Sequence, residues 1–144
     1  GPAIGWGCTC TLACDIRIAS ENARFSLAFT RMGLLAEFGS TYFLPRLVGM
    51  GKACELAVTA KMVDAKYEKE VGLVNQVVPA NELTKATYEM AGNIAKMPPL
   101  AVQLCKKALY SGIDADLASQ LQHELLSLIY LRGTEDHEEA VRAV

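Results

Sequence analysis

The loop Gly33-Leu34-Leu35-Ala36-Glu37-Phe38-Gly39-Ser40 holds one carboxylate, Glu37, among apolar neighbours. Apolar flanks disfavour the charged form. They raise a carboxyl pKa toward the range in which it can take up and return a proton near neutral pH. By spacing alone Glu37 also reads as a solvated loop carboxylate beside a helix N-terminus, where the helix dipole favours negative charge. The second candidate is the turn Gly5-Trp6-Gly7, which runs into a small apolar helix from Cys8. The first N–H groups of a helix have no partner inside it, so such a turn offers backbone donors to a developing negative charge. The competing reading is that the glycines only let turn and helix pack closely.

Other polar groups are weaker candidates. Asp136-His137-Glu138-Glu139 reads as the solvated face of a terminal helix rather than a metal site. Asp15 reads as a structural group at a strand entrance, and Arg46 as a tie between helices. Five cysteines (Cys8, Cys10, Cys14, Cys54, Cys105) lack zinc-site spacing, and the two histidines, His123 and His137, lie far from them. They read as reduced, buried thiols, with no metal, which points to an intracellular setting.

The 144 residues carry a net charge of -2 with 51% hydrophobic and 21% charged residues, a soluble globular composition. No basic stripe suggests nucleic acid. No apolar run approaches the roughly 20 residues that span a bilayer. The first residues do not read as a signal peptide. They lack an initiator Met and open on a Gly-rich turn, so the chain is expected to be part of a longer protein.

These candidates need elements to position them. Residues 1–7 are expected to be a turn, and residues 8–14 a short buried helix. Alternation in Ile16-Arg17-Ile18 and in residues 23–27 predicts two strands around the turn Ser20-Glu21-Asn22. Ser40 is the expected N-cap of a short helix ending near Pro45 or Gly49. Residues 52–60 form the next helix. Asp64 caps another, which stops at Gly72, and residues 73–78 form a strand closed by Pro79. From Asn81 onward the chain reads as helices only. One carries Leu83, Thr87, Met90, Ile94 and Met97. Pro98-Pro99 starts another with Val102, Cys105 and Leu109. A third carries Leu117, Leu121, Leu125 and Leu128, and Gly133 and Thr134 separate it from the last. The order is a mixed α/β part, residues 1–79, then a helical part, residues 80–144.

Six strings, in this order, resemble the enoyl-CoA hydratase/isomerase (crotonase) superfamily. They are Gly1-Pro2-Ala3-Ile4-Gly5-Trp6-Gly7, Ala13-Cys14-Asp15-Ile16-Arg17-Ile18-Ala19, Ala23-Arg24-Phe25, Leu44-Pro45-Arg46-Leu47-Val48-Gly49, Gly72-Leu73-Val74-Asn75-Gln76-Val77-Val78-Pro79, and Lys106-Lys107 after Pro98-Pro99. The resemblance covers essentially the whole chain and implies the C-terminal part of such a protein. It implies an α/β fold, a spiral core of ββα turns lacking its N-terminal part, followed by a helical trimerisation region.

It also implies a task, the stabilisation of the enolate of an acyl-CoA thioester, which is substrate and not cofactor. Trp6 falls on the position whose backbone N–H completes the oxyanion hole, with Gly5 and Gly7 around it. The Trp6 side chain reads either as a wall of the acyl pocket or as a core residue. Hydratases of this family use two glutamates, and the matching positions here hold Thr9 and Phe29. Glu37 matches instead the base of the peroxisomal type of β,γ to α,β enoyl-CoA isomerase, which shuttles one proton along one face of a dienolate. Leu27, Phe29, Met32 and Leu34 would line the acyl pocket, or belong to the plain core. Lys106 or Lys107 would meet CoA phosphates.

The expected function is enoyl-CoA isomerisation with Glu37 as proton shuttle. Hydratase or other crotonase chemistry is the first alternative, and a non-catalytic acyl-CoA-binding or scaffold module the second. The resemblance implies a homotrimer or hexamer located in the cytoplasm, or in a peroxisome or mitochondrion in a eukaryote.

Overall fold

A computed structural model describes residues 1–142. The chain divides at Thr87 and Tyr88 into two compact units, which are described separately.

The first unit is built on two small sheets. β1 (Pro2–Ile4) pairs in parallel with β3 (Arg24–Ser26), setting Ala3 opposite Phe25. β3 pairs antiparallel with β4 (Val63–Asp64). β2 (Ile18–Ser20) pairs in parallel with β5 (Gln76–Val78) in a separate sheet. Parallel strands cannot be joined by a tight turn. The crossover from β1 to β3 therefore contains α1 (Trp6–Thr9), a 3₁₀ turn over Cys10–Ala13, and β2. α4 (Ala65–Glu70) packs on β3, β4 and β5, while α2 (Ser40–Val48) packs on α3 (Met50–Thr59) and on the 3₁₀ turn over Cys10–Ala13. Leu12, Phe25, Leu27, Leu44, Leu56 and Leu73 lie in the buried core between them.

Several expectations need correction. Pro2–Ile4, expected as a turn, is a strand, because β3 supplies a parallel partner that a Gly-rich string does not announce. The first of the two alternating strands moves on by two residues. The Arg17 N–H donates to Asn75 Oδ1 (2.8 Å) and the Asn75 N–H to the Arg17 carbonyl (2.9 Å), so regular pairing starts only at Ile18. Leu73 and Val74 are buried but not in the strand, since both their N–H groups donate to the Glu68 carbonyl. Ser40 is not an N-cap. Gly39 holds that place, and Ser40 is the first helical residue. Pro45 sits inside α2 without ending it, and Gly49 ends it. Asp64 does cap α4, accepting from the Tyr67 N–H at 2.8 Å.

The division falls inside α5 (Leu83–Ala95), whose residues from Tyr88 on belong to the second unit, followed by α6 (Pro99–Gly112), α7 (Leu117–Arg132) and α8 (Glu135–Arg142). Asp116 caps α7 through the Ser119 N–H. The helices expected here form, yet among the described residues beyond Thr87 none is buried. Leu109, Leu117, Leu121, Leu125 and Ile129 are all exposed. Amphipathic stripes without a covering partner are faces built to pack on something further.

Candidate functional site

The two sequence candidates grow from the ends of neighbouring strands. β1 and β3 run in parallel, so the Gly5 turn after β1 and the segment after β3 leave the sheet at the same end. The Gly5 N–H donates to the Ser26 carbonyl at 2.9 Å, tying the turn to the end of β3. Gly5 has φ 56° and ψ −123°, a region that side-chain-bearing residues enter only with strain. The Gly5 carbonyl then accepts from the N–H groups of Cys8 and Thr9 (2.9 and 3.0 Å). Between them, the N–H groups of Trp6 and Gly7 find no acceptor among the described residues. They are two adjacent, unused backbone donors.

After β3 the chain runs through Leu27 and Phe29 into a 3₁₀ turn over Thr30–Met32, held to α3 by the Thr30 hydroxyl donating to the Ala57 carbonyl (3.0 Å). The loop that follows carries Glu37. Phe38 has φ 57° and Gly39 φ 70°, so two left-handed residues in succession swing the chain into α2. That conformation is ordinary for glycine and uncommon for a bulky side chain. Phe38 is held there by Trp6, ring edge to ring face, with centroids 5.9 Å apart at 75°. Glu37, itself exposed, is thus one residue from a ring anchored on the donor turn. Trp6 is 58% exposed, so the described residues do not bury it in their core.

A cavity of about 180 Å³ opens between the loop, α2 and α3, and Leu27, Ala36, Ser40, Leu44, Ala53 and Ala57 are among its walls. Ala36 and Ser40 flank Glu37 on either side. Of the expected pocket residues, Leu27 lines this cavity. Phe29 is buried, with its ring edge 4.0 Å from where a Cβ on Gly5 would stand. Met32 and Leu34 are exposed and are not among its walls. Thr9 and Phe29 are both buried, and the Thr9 hydroxyl turns back to the Trp6 carbonyl (3.3 Å).

Two buried polar groups escaped the sequence reading. Ser40 is 1% exposed and its Oγ has no hydrogen-bond partner. Glu68 is also 1% exposed, with Oε2 unpartnered. Burial pushes the Glu68 carboxyl up to about 7, against the opposing pull of Lys61. Its surroundings in sequence, Ala65-Lys66-Tyr67-Glu68-Lys69-Glu70, read as a solvated helix. Only the packing of one face of α4 reveals it. Cys8, in α1, is buried as expected, and its thiol is pushed up to about 12, first by burial and then by the Glu68 carboxyl and Cys10. The expectation fails for Cys14, Cys54 and Cys105, which are exposed; all five cysteines are free. No cluster of three or more possible metal ligands occurs among the described residues, and none of their helices is long and apolar enough to cross a membrane. Lys106 lies 5.8 Å from the centre of the Tyr110 ring, and Lys107 is exposed.

The structure thus presents free backbone donors beside a loop carboxylate and a largely apolar cavity on a mixed α/β core. The family model described as enoyl-CoA hydratase/isomerase matches residues 1–143. The chain belongs to that family. It is 41% identical over 143 residues to the short-chain-enoyl-CoA hydratase of Clostridium acetobutylicum, covering 99% of this chain and 55% of that protein. A crystal structure of enoyl-CoA hydratase from Bacillus anthracis superposes with a TM-score of 0.95 at 40% identity, over 99% of this chain and 55% of that one. A putative enoyl-CoA hydratase from Thermobifida fusca, solved in complex with CoA, superposes with a TM-score of 0.88 at 32% identity, over 90% of this chain and 51% of that one. The chain spans about half the length of the curated relatives it matches.

Proposed function

We propose that the protein containing this chain isomerises a β,γ-enoyl-CoA to the α,β form, with Glu37 as the proton shuttle. The Trp6–Phe38 contact carries the reading, because it joins the loop of the one candidate base to the turn with two unused N–H donors. In the proposed reaction the thioester carbonyl accepts from the Trp6 N–H, and charge developing on that oxygen is stabilised there. Glu37 takes a proton from the α-carbon and returns it at the γ-carbon. No second carboxylate is needed, since no water is added. Thr9 and Phe29 support this choice: neither can serve as the acid or base that hydration requires.

The names of the relatives favour a second reading, hydration of an α,β-enoyl-CoA. The two are separated by assaying the full-length protein on both substrates, with Glu37→Gln alongside. A positioned general base contributes about 10²–10⁴-fold. Isomerisation should exceed hydration and fall by about that factor in Glu37→Gln. Hydration at the rate of isomerisation, or full isomerase turnover in the variant, would remove the proposal. CoA-ester binding without turnover would select the scaffold reading. The exposed apolar faces of α6 and α7 support further packing in the whole protein, consistent with the trimer or hexamer that the family implies.

A further inference from the structure

The cavity beside Glu37 is largely apolar; Ser40, Thr41 and Cys54 are its walls with a side-chain hydroxyl or thiol, and of these Thr41 and Cys54 are exposed while Ser40 is buried. Ser40 is a wall of it, and the Ser40 hydroxyl is buried with no hydrogen-bond partner. A buried hydroxyl left unpaired costs free energy, and native structures satisfy such groups with protein, water or ligand. An alanine at the first turn of α2 would avoid that cost, and Ser40 does not offset it by capping the helix. Its N–H is used, donating to the Glu37 carbonyl at 3.1 Å, so the serine backbone is locked to the residue that carries the proposed chemistry. Only the hydroxyl is left over.

Size bounds the occupant. A cavity of about 180 Å³ is well above the roughly 10–15 Å³ that a single water needs and admits a short tail. Leu27, Leu44, Ala53 and Ala57 offer no side-chain polar atom to a chain lying against them, and Thr41 and Cys54 are exposed to solvent, so the Ser40 hydroxyl is the buried polar group that such a chain would meet. We infer that the cavity takes a short acyl tail carrying one hydrogen-bonding oxygen, a hydroxyl or a carbonyl, and that Ser40 Oγ is its partner. The Ser40 hydroxyl can donate to either oxygen and can also accept from a hydroxyl. Preference for an oxygenated over a plain tail then follows from one side chain, because a plain tail leaves the buried hydroxyl unpaired.

This inference rests on the acyl-CoA reading of the site but not on isomerisation, and the two can fail separately. In the full-length protein, kcat/KM is measured for 3-octenoyl-CoA and for its counterparts hydroxylated at a single tail carbon. Kd is measured for octanoyl-CoA and its hydroxylated counterparts, which cannot isomerise. At least one hydroxylated ester should be preferred by about tenfold, in Kd as well as in kcat/KM. In Ser40→Ala the preference should collapse toward unity. Ser40→Ala without ligand should melt at or above the parent temperature, which a structural hydrogen-bonding role would not give. No preference in the parent, or a preference kept in Ser40→Ala, overturns the inference. A preference in Kd with no turnover of any enoyl ester supports the inference and sinks the isomerase reading instead.

Discussion

Trp6 and Phe38 stand edge to face at 5.9 Å, although 32 positions apart in sequence, and they join the donor turn to the loop that carries Glu37. Both rings are more than half exposed, so little hydrophobic burial supports the pair. Phe38 is also in a left-handed conformation, which a ring contact must help to hold. The contact is therefore expected to matter more for geometry than for stability. Phe38→Ala should lower kcat by up to about 10²-fold, the effect of misplacing a catalytic group by about 1 Å. A double-mutant cycle with Trp6→Ala should give a coupling of about 0.5–1.5 kcal/mol in the melt. Independent effects of the two changes on kcat would show that the rings do not align the loop.

Gly5 offers a sharper test of the donor turn. A Cβ there would meet only the Phe29 ring edge, at an ordinary 4.0 Å, so no clash arises. The cost of Gly5→Ala is then conformational, from φ 56° and ψ −123°, and should be about 1–3 kcal/mol in urea unfolding. Because the strain is relieved by rotating the very peptides that present the Trp6 and Gly7 N–H groups, activity should fall by more than stability alone explains. Gly7→Ala, with open space around it, should be milder. Equal kcat in parent and Gly5→Ala would take the oxyanion role away from this turn.

The local elements that hold the two candidates follow from local signals, glycines before a helix and a loop between two glycines, while their catalytic roles belong to the proposal. Asp64 as cap, Gly72 as a stop and the helices after Pro99 were legible for the same reason. What was not legible depends on partners distant in the chain. Pro2–Ile4 becomes a strand only because Arg24–Ser26 lies beside it. β2 begins at Ile18 because the Asn75 side chain occupies the Arg17 N–H. Arg17, the polar member of the alternating string Ile16-Arg17-Ile18, is buried, with Nε donating to the Leu73 carbonyl and Nη1 to the Cys14 carbonyl. Ser40 reads as an N-cap and Glu68 as one residue of the helix that Asp64 caps, and only the packing of α2 and α4 onto the core buries both side chains. The Leu117 to Leu128 stripe marked a helix correctly, but periodicity could not show that its apolar face would be left uncovered.

The cysteines should divide by environment. A thiolate is the reactive form, and the Cys8 thiol, pushed up to about 12 and buried, supplies almost none at neutral pH. Cys14 and Cys54 are exposed on the same unit. Alkylation of the native protein at pH 8, followed by peptide mass spectrometry, should label Cys14 and Cys54 early and Cys8 only after denaturant is added. Early labelling of Cys8 would mean that α1 opens readily, and the donor turn with it.

Glu68 predicts an unusual pH dependence of stability. Its carboxyl is raised by burial to about 7 in the folded protein, from 4.5 without that environment. Two groups face it: Lys61, from the turn between α3 and β4, which lowers it, and Cys8 of α1, which is neutral below about 12. Between pH 4.5 and 7 the folded state holds a proton that the unfolded state has released. The slope of unfolding free energy with pH is then negative, so stability is fully present below about pH 4.5 and is lost as pH rises through about 7. At 1.36 kcal/mol per unit the total loss is about 3 kcal/mol. Glu55 acts in another window. Hydrogen bonds from Lys52 and Lys61 hold it down at about 2, so its contribution is lost only as pH falls below the ordinary carboxylate range. Urea unfolding from pH 4.5 to 8 should therefore show declining stability in the parent and a flatter profile in Glu68→Gln. Lys61→Met removes the cation that favours the ionised carboxyl, so it should shift the decline to higher pH. A parent whose stability rises across this range, with Glu68→Gln running parallel to it, would mean that Glu68 ionises in the fold at its ordinary pKa.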